Sequence, residues 1–560
     1  MQAITIAVGK NGINFFAQHY LSATLSNLLA QLAPPNKTIG VPNFNYSSGQ
    51  DWWEYSNVSI GLSNGSLRNF SAAFQNVIQG VSQDGKNTPV FTLNFNANNF
   101  SAFYNWLENF HYKHHYVEMD GKIPVWKVAE GDSSNPYSYQ PLMNLTAAII
   151  VQFLYENSNW DVTVYGTSAD GKVTQDNIPS NSILNGQDNS CAGSHIDGAT
   201  QQAIDAIDFA TPVNNLIKGI IKTIPGSGNL GSGIIYDFSL GDSGLKFPNN
   251  DGIQMGVKGG ASYNGTAFSG VTPPSLPMPV PPADTDSHHL NMYVSNYEVD
   301  ALHWAFWKAG KLNVVVNPAD LHDPGALKVA TYVNLEKSLK PFQAFAMQAQ
   351  ISPTAAPVTT FQLVWEFTAA ALSTLQKQLP PNVYNLLSGL QGNAYTSKSA
   401  LEQDLTGATI PNSYFPAIEK ATQAMGMVVT SNLNFDLIIE NQQPNPPDIK
   451  FSLARTDILT KLGLGIGGNN AQTLQYDFLN VNFNATFISS TVPGFQGATF
   501  GNIVFPIAGE PRYAEVLAEM GKTGAPLPIM ADFQFDFTSA QVSIQESYVS
   551  ILASVLYKNK

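Results

Sequence analysis

Three histidines close together are the best candidates for chemistry in this chain. His111, His114 and His115, with Glu118 nearby, resemble a metal-ligand set, because imidazole nitrogens bind zinc and other transition metals. His111 and His115 have the spacing that places two side chains on one face of a helix. The cluster lacks the H-E-x-x-H pattern and has aromatic neighbours. We therefore expect a surface segment or the end of an amphipathic helix, without a metal.

A second candidate is Ser63, which lies in the G-x-S-x-G pattern of residues 61–65. In hydrolases this pattern joins an apolar strand to a helix and exposes the nucleophile at the turn. Residues 65–69 are a poor helix start, so the pattern predicts an ordinary turn, and a serine hydrolase is only a weak alternative. The glycine-rich segments 226–231 and 463–468 lack the context of a phosphate loop. The sequence thus predicts no catalytic residue, no metal, no cofactor and no enzyme.

Composition excludes several classes of partner. A chain of 560 residues is expected to fold as at least two domains. Hydrophobic residues make up 44% and charged residues 12%, which suits extended β-sheet surfaces. The net charge is −14, and the parts before and after residue 272 each carry −7. Nucleic acid and anionic membranes are poor partners for such a chain, because both attract clustered Lys and Arg.

Targeting signals are not visible in the sequence. Cys191 is the one cysteine, so no intramolecular disulfide can form. No stretch has the length and apolarity of a membrane span, and the first residues do not resemble a signal peptide. We expect a soluble protein. It is extracellular if a signal peptide was removed, and otherwise cytoplasmic or released by an unconventional route.

Two helices are predicted in the first half, one on each side of a region of strands at 39–165. Residues 3–8 form a weak strand, and residues 13–32 have helical apolar spacing that ends at two prolines. A second helical stretch, 197–224, follows a polar loop at 166–194. The first helix has almost no charge, so it must be buried against a sheet or around a ligand, and the second has one broad apolar face from 213 to 224.

A proline-rich segment, residues 273–282, is the clearest boundary in the chain. After it the order of elements starts again, with a strand at 290–294 and a helix at 295–310. Ser295 and Glu298 predict a capping box for this helix, and Gly310 is placed to end it. Further strands are expected at 433–440, 479–488, 529–537 and 548–557, with helical stretches near 361–378 and 414–425.

Three segments resemble one known family. Residues 3–41, "AITIAVGKNGINFFAQHYLSATLSNLLAQL" and onward, 277–316, with "LNMYVSNYEVDALHWAFWKAGKLNVVV", and the C-terminal "GAPLPIMADFQFDFTSAQVSIQESYVSILASVLYK" look like the opening, linker and closing strands of that family. It contains bactericidal/permeability-increasing protein, lipopolysaccharide-binding protein and the plasma lipid-transfer proteins. The matches cover under a quarter of the chain, but they occur in the family's order.

The resemblance implies an α+β fold of two tandem tubular, helix-wrapped antiparallel β-barrel domains in an elongated, pseudo-symmetric arrangement. The domains would be 1–272 and 288–560, joined by the linker 273–287. This sequence departs from the family in two respects. The lone cysteine cannot form the disulfide of the vertebrate members, and the acidic first half lacks the basic tip of the lipopolysaccharide binders.

The function that these observations predict is the binding, transfer or presentation of a phospholipid or another long-chain lipid, in apolar pockets between helix and barrel. The sequence is also compatible with a transient contact with a membrane and with a protein partner. The alternative is a scaffold or partner-binding component of a toxin or defence system. The predicted lipid-binding residues are the apolar helix positions Phe16, Tyr20, Leu25, Leu28, Ile217, Ile220, Ile221, Leu302 and Phe306.

Overall fold

The protein has an α+β fold in which long antiparallel strands alternate with short helices. The computed structural model describes residues 2–48, 51–81, 89–156, 159–185, 192–223, 226–246, 252–269, 271–272, 275–283, 285–405, 408–440, 444–467, 471–529 and 533–558. The α+β class expected from the sequence is confirmed. We label strands and helices in chain order.

The first half contains fifteen described strands and four α-helices. The strands are β1 (Ile4–Gly9), β2 (Lys37–Gly40), β3 (Phe44–Ser48), β4 (Asp51–Arg68), β5 (Ala72–Val81), β6 (Pro89–Asp120), β7 (Ile123–Tyr139), β8 (Leu142–Glu156), β9 (Asn159–Gln175), β10 (Ser227–Gly231), β11 (Ile234–Asp237), β12 (Leu240–Lys246), β13 (Gly252–Val257), β14 (Ala261–Tyr263) and β15 (Thr266–Ala267). The helices are α1 (Lys10–Phe16), α2 (Ser22–Leu29), α3 (Ala192–Asp205) and α4 (Ala210–Thr223), with a π-helical turn, Ala17–Leu21, between α1 and α2.

The second half contains fourteen described strands and eight α-helices. The strands are β16 (Leu290–Ser295), β17 (Val314–Val316), β18 (Met347–Pro353), β19 (Val358–Glu366), β20 (Ala394–Tyr395), β21 (Gln423–Ile439), β22 (Asp448–Ile466), β23 (Gln472–Asn482), β24 (Ala485–Ser490), β25 (Ala525–Pro526), β26 (Phe533–Phe535), β27 (Gln541–Ile544), β28 (Tyr548–Ala553) and β29 (Val555–Tyr557). The helices are α5 (Asn296–Lys308), α6 (Val329–Tyr332), α7 (Ala369–Gln378), α8 (Pro381–Leu387), α9 (Lys398–Asp404), α10 (Phe415–Thr422), α11 (Phe500–Val504) and α12 (Glu510–Thr523), with a second π-helical turn, Phe505–Gly509, between α11 and α12.

Each half has one large antiparallel sheet. In the first half the order is β2-β4-β6-β8-β9, with β3, β5 and β7 added at the sides. In the second half it is β17-β18-β21-β22-β23-β25, with β19, β20 and β24 added. These orders end at β2 and β9 in the first sheet and at β17 and β25 in the second. Helix α3 contacts both β2 and β9, and α12 contacts both β17 and β23, so a helix bridges the opening of each sheet.

Asparagines help to curve the first sheet. The pairing of β4 and β6 shifts register near Asn57 and Asn64, and that of β6 and β8 shifts near Asn99. These three residues have positive φ angles of 52°, 51° and 56°, which asparagine tolerates better than most side chains. The N–H of Asn99 donates to Oδ1 of Asn144 at 2.9 Å, and the other two N–H groups also donate to asparagine side chains. Such bulges bend a strand and increase its twist.

A third sheet joins residues from both sides of the proline-rich segment. Its order is β12-β13-β1-β16-β28-β27, so β1 lies between β13 and the first strand after that segment. The segment itself runs beside this sheet. Thr5 donates to the carbonyl of Pro277 at 2.9 Å, and Gln254 donates to that of Pro279 at 2.7 Å. The two halves therefore share one hydrogen-bonded sheet.

Two expectations about helices after residue 290 are wrong. Ser295 precedes α5 as predicted, but its hydroxyl has no described partner and makes no capping bond. Glu298 is fully buried and its Oε1 accepts from the N–H of Gly260 at 3.1 Å, so long-range packing replaces the capping box. Gly310 does follow α5, with φ +67°. The helix expected at 361–378 is a strand up to Glu366 and a helix only from Ala369, because β19 pairs with β21.

Three expectations in the first half also differ from the structure, two of them because of strand pairing. The polar loop expected at 166–194 begins later, because β9 continues to Gln175 beside β8. The helix expected at 13–32 starts at Lys10, ends at Leu29 and contains the π-helical turn. His111 and His115 do not lie on a helix. They lie in β6, held between β4 and β7.

Candidate functional site

The N-terminal helical segment, α1 to α2, lies against the first large sheet and α4. Ile13, Ala17 and Leu29 belong to a buried apolar cluster with side chains of β4, β6 and β8. Phe16 and Leu28, both predicted lipid-binding residues, are partly buried at the border of this cluster. The ring of Phe16 lies 5.5 Å from that of Phe533. The side chains of Tyr20 and Leu25 lie outside the described part of the chain.

Helix α4 brings a third predicted residue to the same cluster. Ile217 is buried there together with Val213, and Leu216 packs at its border. Helices α2 and α4 contact each other. The seam between α1–α2, α4 and the sheet therefore collects Phe16, Leu28 and Ile217. The side chains of Ile220 and Ile221 are not among those described.

The two predicted residues of the second half lie on α5. Leu302 is completely buried in the large apolar cluster of that half, and Phe306 is partly buried at its border. The same cluster includes Ile4, Ile6 and Tyr236 from the first half. Leu302 is therefore part of the core, whereas Phe306 remains partly accessible at its border.

An aromatic wall on the first sheet was not predicted. Beyond the helices, Phe44, Tyr55 and Tyr112 remain partly buried on the side of the sheet that carries the buried Phe110. The rings of Tyr55 and Phe110 form a T-shaped pair with their centres 5.5 Å apart. Trp53 stacks on His114 with the ring centres 3.6 Å apart. Alternating aromatic residues at 110–116 are the sequence signal for this wall, since side chains two apart share one face of a strand.

A buried carboxyl group lies under this wall. Glu108 is completely buried, and burial raises its pKa, although the hydroxyl of Ser182 donates to it at 2.6 Å. The N–H of Ile183 donates to its second oxygen at 3.4 Å. Glu108 thereby holds the segment that follows β9 against the sheet.

One cavity of about 480 Å³ opens beside the second large sheet. Its walls come from β19 to β23 and from the strand β27 of the shared sheet. Nine of the fourteen lining residues are apolar: Val364, Ala394, Met425, Met427, Leu459, Leu462, Leu479, Val542 and Ile544. Glu366, Lys461, Thr460 and Ser543 provide polar groups. Volume and lining are typical of a site for a small apolar molecule with a polar end.

A second cavity of about 520 Å³ lies near the small sheet β10-β11-β14-β15. Tyr236, Phe268 and Tyr297 provide aromatic surface, and Asp237 and Lys258 provide charge. None of the five predicted lipid-binding residues with described side chains lines either cavity. The apolar run at 425–429 is the sequence pattern that could have indicated the first cavity. A strand in which polar residues do not alternate with apolar ones is buried on both faces.

Three ionisable residues of α5 are buried together. Burial raises the pKa of Glu298 to about 8 and that of Asp300 to about 7, and it lowers the pKa of His303 to about 3. Asp300 accepts from the N–H of Thr359 at 2.5 Å, and His303 is bonded to the hydroxyl of Tyr476 at 2.9 Å. None of the three residues lines either cavity. The hydrogen bonds of Asp300 and His303 anchor α5 to β19 and β23.

The motifs considered for catalysis do not form a site in the described residues. Ser63 lies inside β4 at a register shift, where neither the expected turn nor a helix occurs. His111 is bonded to Asp132 at 3.0 Å, while His114 and His115 stack on Trp53 and Trp52. No group of three metal-binding side chains is found in the described part of the chain. Among the described helices, none has the length and apolarity to cross a membrane.

Comparisons with known proteins give distant structural similarities only. No protein-family model matches the sequence, and no curated protein matches it. A crystal structure of lipopolysaccharide binding protein aligns over 100% of both chains, with 11% identity and a TM-score of 0.43. The structure of P47 of Clostridium botulinum E1 aligns over 100% of this chain and 99% of that one, with 8% identity and a TM-score of 0.22. These values are too low to carry an argument, so the function has to be inferred from this chain's own residues.

Proposed function

We propose that the protein is a non-enzymatic carrier that binds a long-chain lipid, such as a phospholipid or a fatty acyl ligand. Its two halves, 1–272 and 288–560, are tubular domains joined by the linker 273–287. The observation that carries the proposal is the 480 Å³ cavity, nine of whose lining side chains are apolar. An acyl chain gains roughly 0.8 kcal/mol for each methylene group that it buries, so such a cavity needs no charged catalytic group to hold it.

The polar residues of this cavity give the ligand an orientation. Glu366 and Lys461 are its charged lining residues, next to Thr460 and Ser543. A few polar groups in an otherwise apolar pocket fix the direction of a ligand. The lipid's polar end contacts these groups, and its chain lies along Met425, Leu462 and Val542.

The first half offers a second place for an acyl chain. The seam between α1–α2, α4 and the sheet has partly buried apolar side chains at Phe16 and Leu28, with Ile217 beneath them. Leu302 and Phe306 have the corresponding role on α5 in the second half. Tyr20, Leu25, Ile220 and Ile221 remain predicted lipid-binding residues, although their side chains lie outside the described part of the chain.

Lipid content after purification is the test of this function. Wild-type protein, extracted with organic solvent and measured by mass spectrometry, is expected to contain long-chain lipid or to take it up from vesicles. Leu462→Trp fills the cavity, so we expect this variant to lose the lipid that the cavity holds and to contain clearly less lipid than the wild type. Val542→Trp, from the opposite wall, is expected to have the same effect.

Leu464→Trp is the matched control. It lies two residues further along β22, partly buried on the same face but outside the cavity lining. This variant should keep the wild-type lipid content, and circular dichroism should show that all three variants fold. Wild-type protein that neither contains nor takes up lipid would rule out the function. Wild-type lipid content in both cavity variants would rule out this site.

A further inference from the structure

A two-stranded ribbon projects from one end of the first large sheet. Strands β6 and β7 pair up to Asp120 and Ile123, joined by a two-residue turn in which Gly121 has φ +67°. The pairing of β4 with β6 ends at His115, so residues 116–127 have no third strand beside them in the described structure. All eleven residues from 118 to 128 are exposed.

One face of this ribbon is apolar. Because directly paired residues share a face and faces alternate along a strand, the register places Val117 with Trp126, Met119 with Pro124, and His115 with Val128 on one side. Met119, Trp126 and Val128 are 62%, 68% and 56% exposed. Large apolar side chains gathered at this exposure mark an interaction surface.

The opposite face carries the charges. Glu118 and Lys127 form an ion pair there, and Asp120 lies beside the turn. Ile123 and Val125 also point to this side, so apolar side chains surround the end of the ribbon. From 118 to 128 two acidic residues balance two lysines, although the whole chain carries −14.

We propose that this ribbon docks the protein on the surface of a lipid bilayer, with the face of Met119, Trp126 and Val128 in the interfacial layer. An amphipathic segment with an apolar face and a charged face lies in the plane of that layer. Tryptophan is enriched there, and lysine side chains reach from it to water. Asp120 and Lys122 near the turn keep the ribbon at headgroup depth, since burying them in hydrocarbon is costly.

The local charge balance favours a zwitterionic bilayer over a protein partner or a second copy of this chain. An acidic body is repelled by anionic lipid, and the ribbon provides no net positive charge to offset this. A flat protein surface would cover one face of the ribbon, whereas the headgroup layer surrounds the end of the ribbon and so also contacts Ile123 and Val125. The proposal rests on the ribbon alone and goes beyond the binding of a lipid in the cavity.

Flotation with phosphatidylcholine vesicles tests the proposal. The full chain is expected to float with the vesicles, and the double variant Met119→Ser/Trp126→Ser to bind at least about tenfold more weakly. The matched control Val358→Ser/Ile488→Ser removes two apolar side chains of 53% and 56% exposure elsewhere on the surface. It should float like the wild type, and all three proteins should have the same thermal unfolding temperature.

Four results would overturn the proposal. Two are wild-type protein that stays below the vesicles and a ribbon variant that floats normally. The others are a wild-type dimer that the ribbon variant turns into a monomer, and binding that requires phosphatidylserine. Leu462→Trp separates this inference from the cavity, because that variant should lose bound lipid and still float.

Discussion

Glu298→Gln is expected to make the protein more stable than the wild type above about pH 8, by an amount on the order of 5 kcal/mol. Glu298 is fully buried, and burial raises its pKa from 4.5 to about 8. Its Oε1 accepts from the N–H of Gly260, but Oε2 has no partner among the described residues. Asp237 adds a further upward contribution to this pKa.

The direction of the pH dependence follows from these shifts. A carboxyl whose pKa is higher in the folded protein binds more protons there than in the unfolded chain. The free energy of unfolding therefore falls as pH rises from about 4.5 to about 8 through Glu298, and from 3.8 to about 7 through Asp300. His303 acts oppositely, because its lowered pKa reduces stability as pH falls from 6.5 to about 3. Glu510, whose pKa burial raises to about 7, adds to the fall that Glu298 and Asp300 cause as pH rises.

Urea unfolding at several pH values measures this effect. The wild type should have a lower unfolding midpoint at pH 8.5 than at pH 6.5, and Glu298→Gln should show a shallower decline, because an amide keeps the acceptor without ionising. Glu546→Gln, an exposed position, is the control and should follow the wild type. Identical pH profiles for Glu298→Gln and the wild type would show that Glu298 does not ionise in this range.

Ile4→Ala is expected to destabilise the second half of the chain, although residue 4 lies at the start of the first. Ile4 is completely buried in the cluster formed mainly by residues after 290. In β1 it lies between Val257 and Val294. Truncation of a buried isoleucine to alanine costs about 2–5 kcal/mol, because apolar contact is lost and a cavity remains.

Hydrogen exchange locates this effect. Amide protons of β16 and β28 should lose protection in Ile4→Ala, since β28 pairs with β16 in the shared sheet. Ile235→Ala is the control, with 41% of its side chain exposed on β11. If exchange increases only within residues 1–272, the shared sheet does not couple the two halves.

Local sequence patterns predicted the elements whose structure depends on residues that are close together in the chain. The strand at 3–8, the uncharged helix after it and the glycine that ends α5 all appear close to their predicted positions. Apolar spacing, proline and glycine act within a few residues, so they can be read without knowledge of the fold. The α+β class followed from these patterns, whereas the tubular domains and their boundaries remain a proposal.

Predictions failed where a residue far away in the sequence forms the hydrogen bond or strand pairing that replaces the predicted local structure. Glu298 has the spacing of a capping box, yet Gly260 provides its hydrogen bond from another part of the chain. His111 and His115 have helical spacing, yet β4 and β7 hold them in a strand. In both cases a tertiary partner outweighs a weak local preference.

The sequence by itself determined the apolar N-terminal helix, the low proportion of charged residues with a net charge of −14, and the absence of a recognisable catalytic pattern. Only the tertiary structure decided which apolar side chains meet. It buries Leu302 and Ile217 in cores, forms a cavity from Met425, Leu462 and Val542, and leaves Trp126 exposed at the end of a ribbon. The reason is that strands far apart in the sequence, from β19 to β27, provide the walls of the cavity, and their register, unlike local periodicity, is set by pairing across the whole sheet.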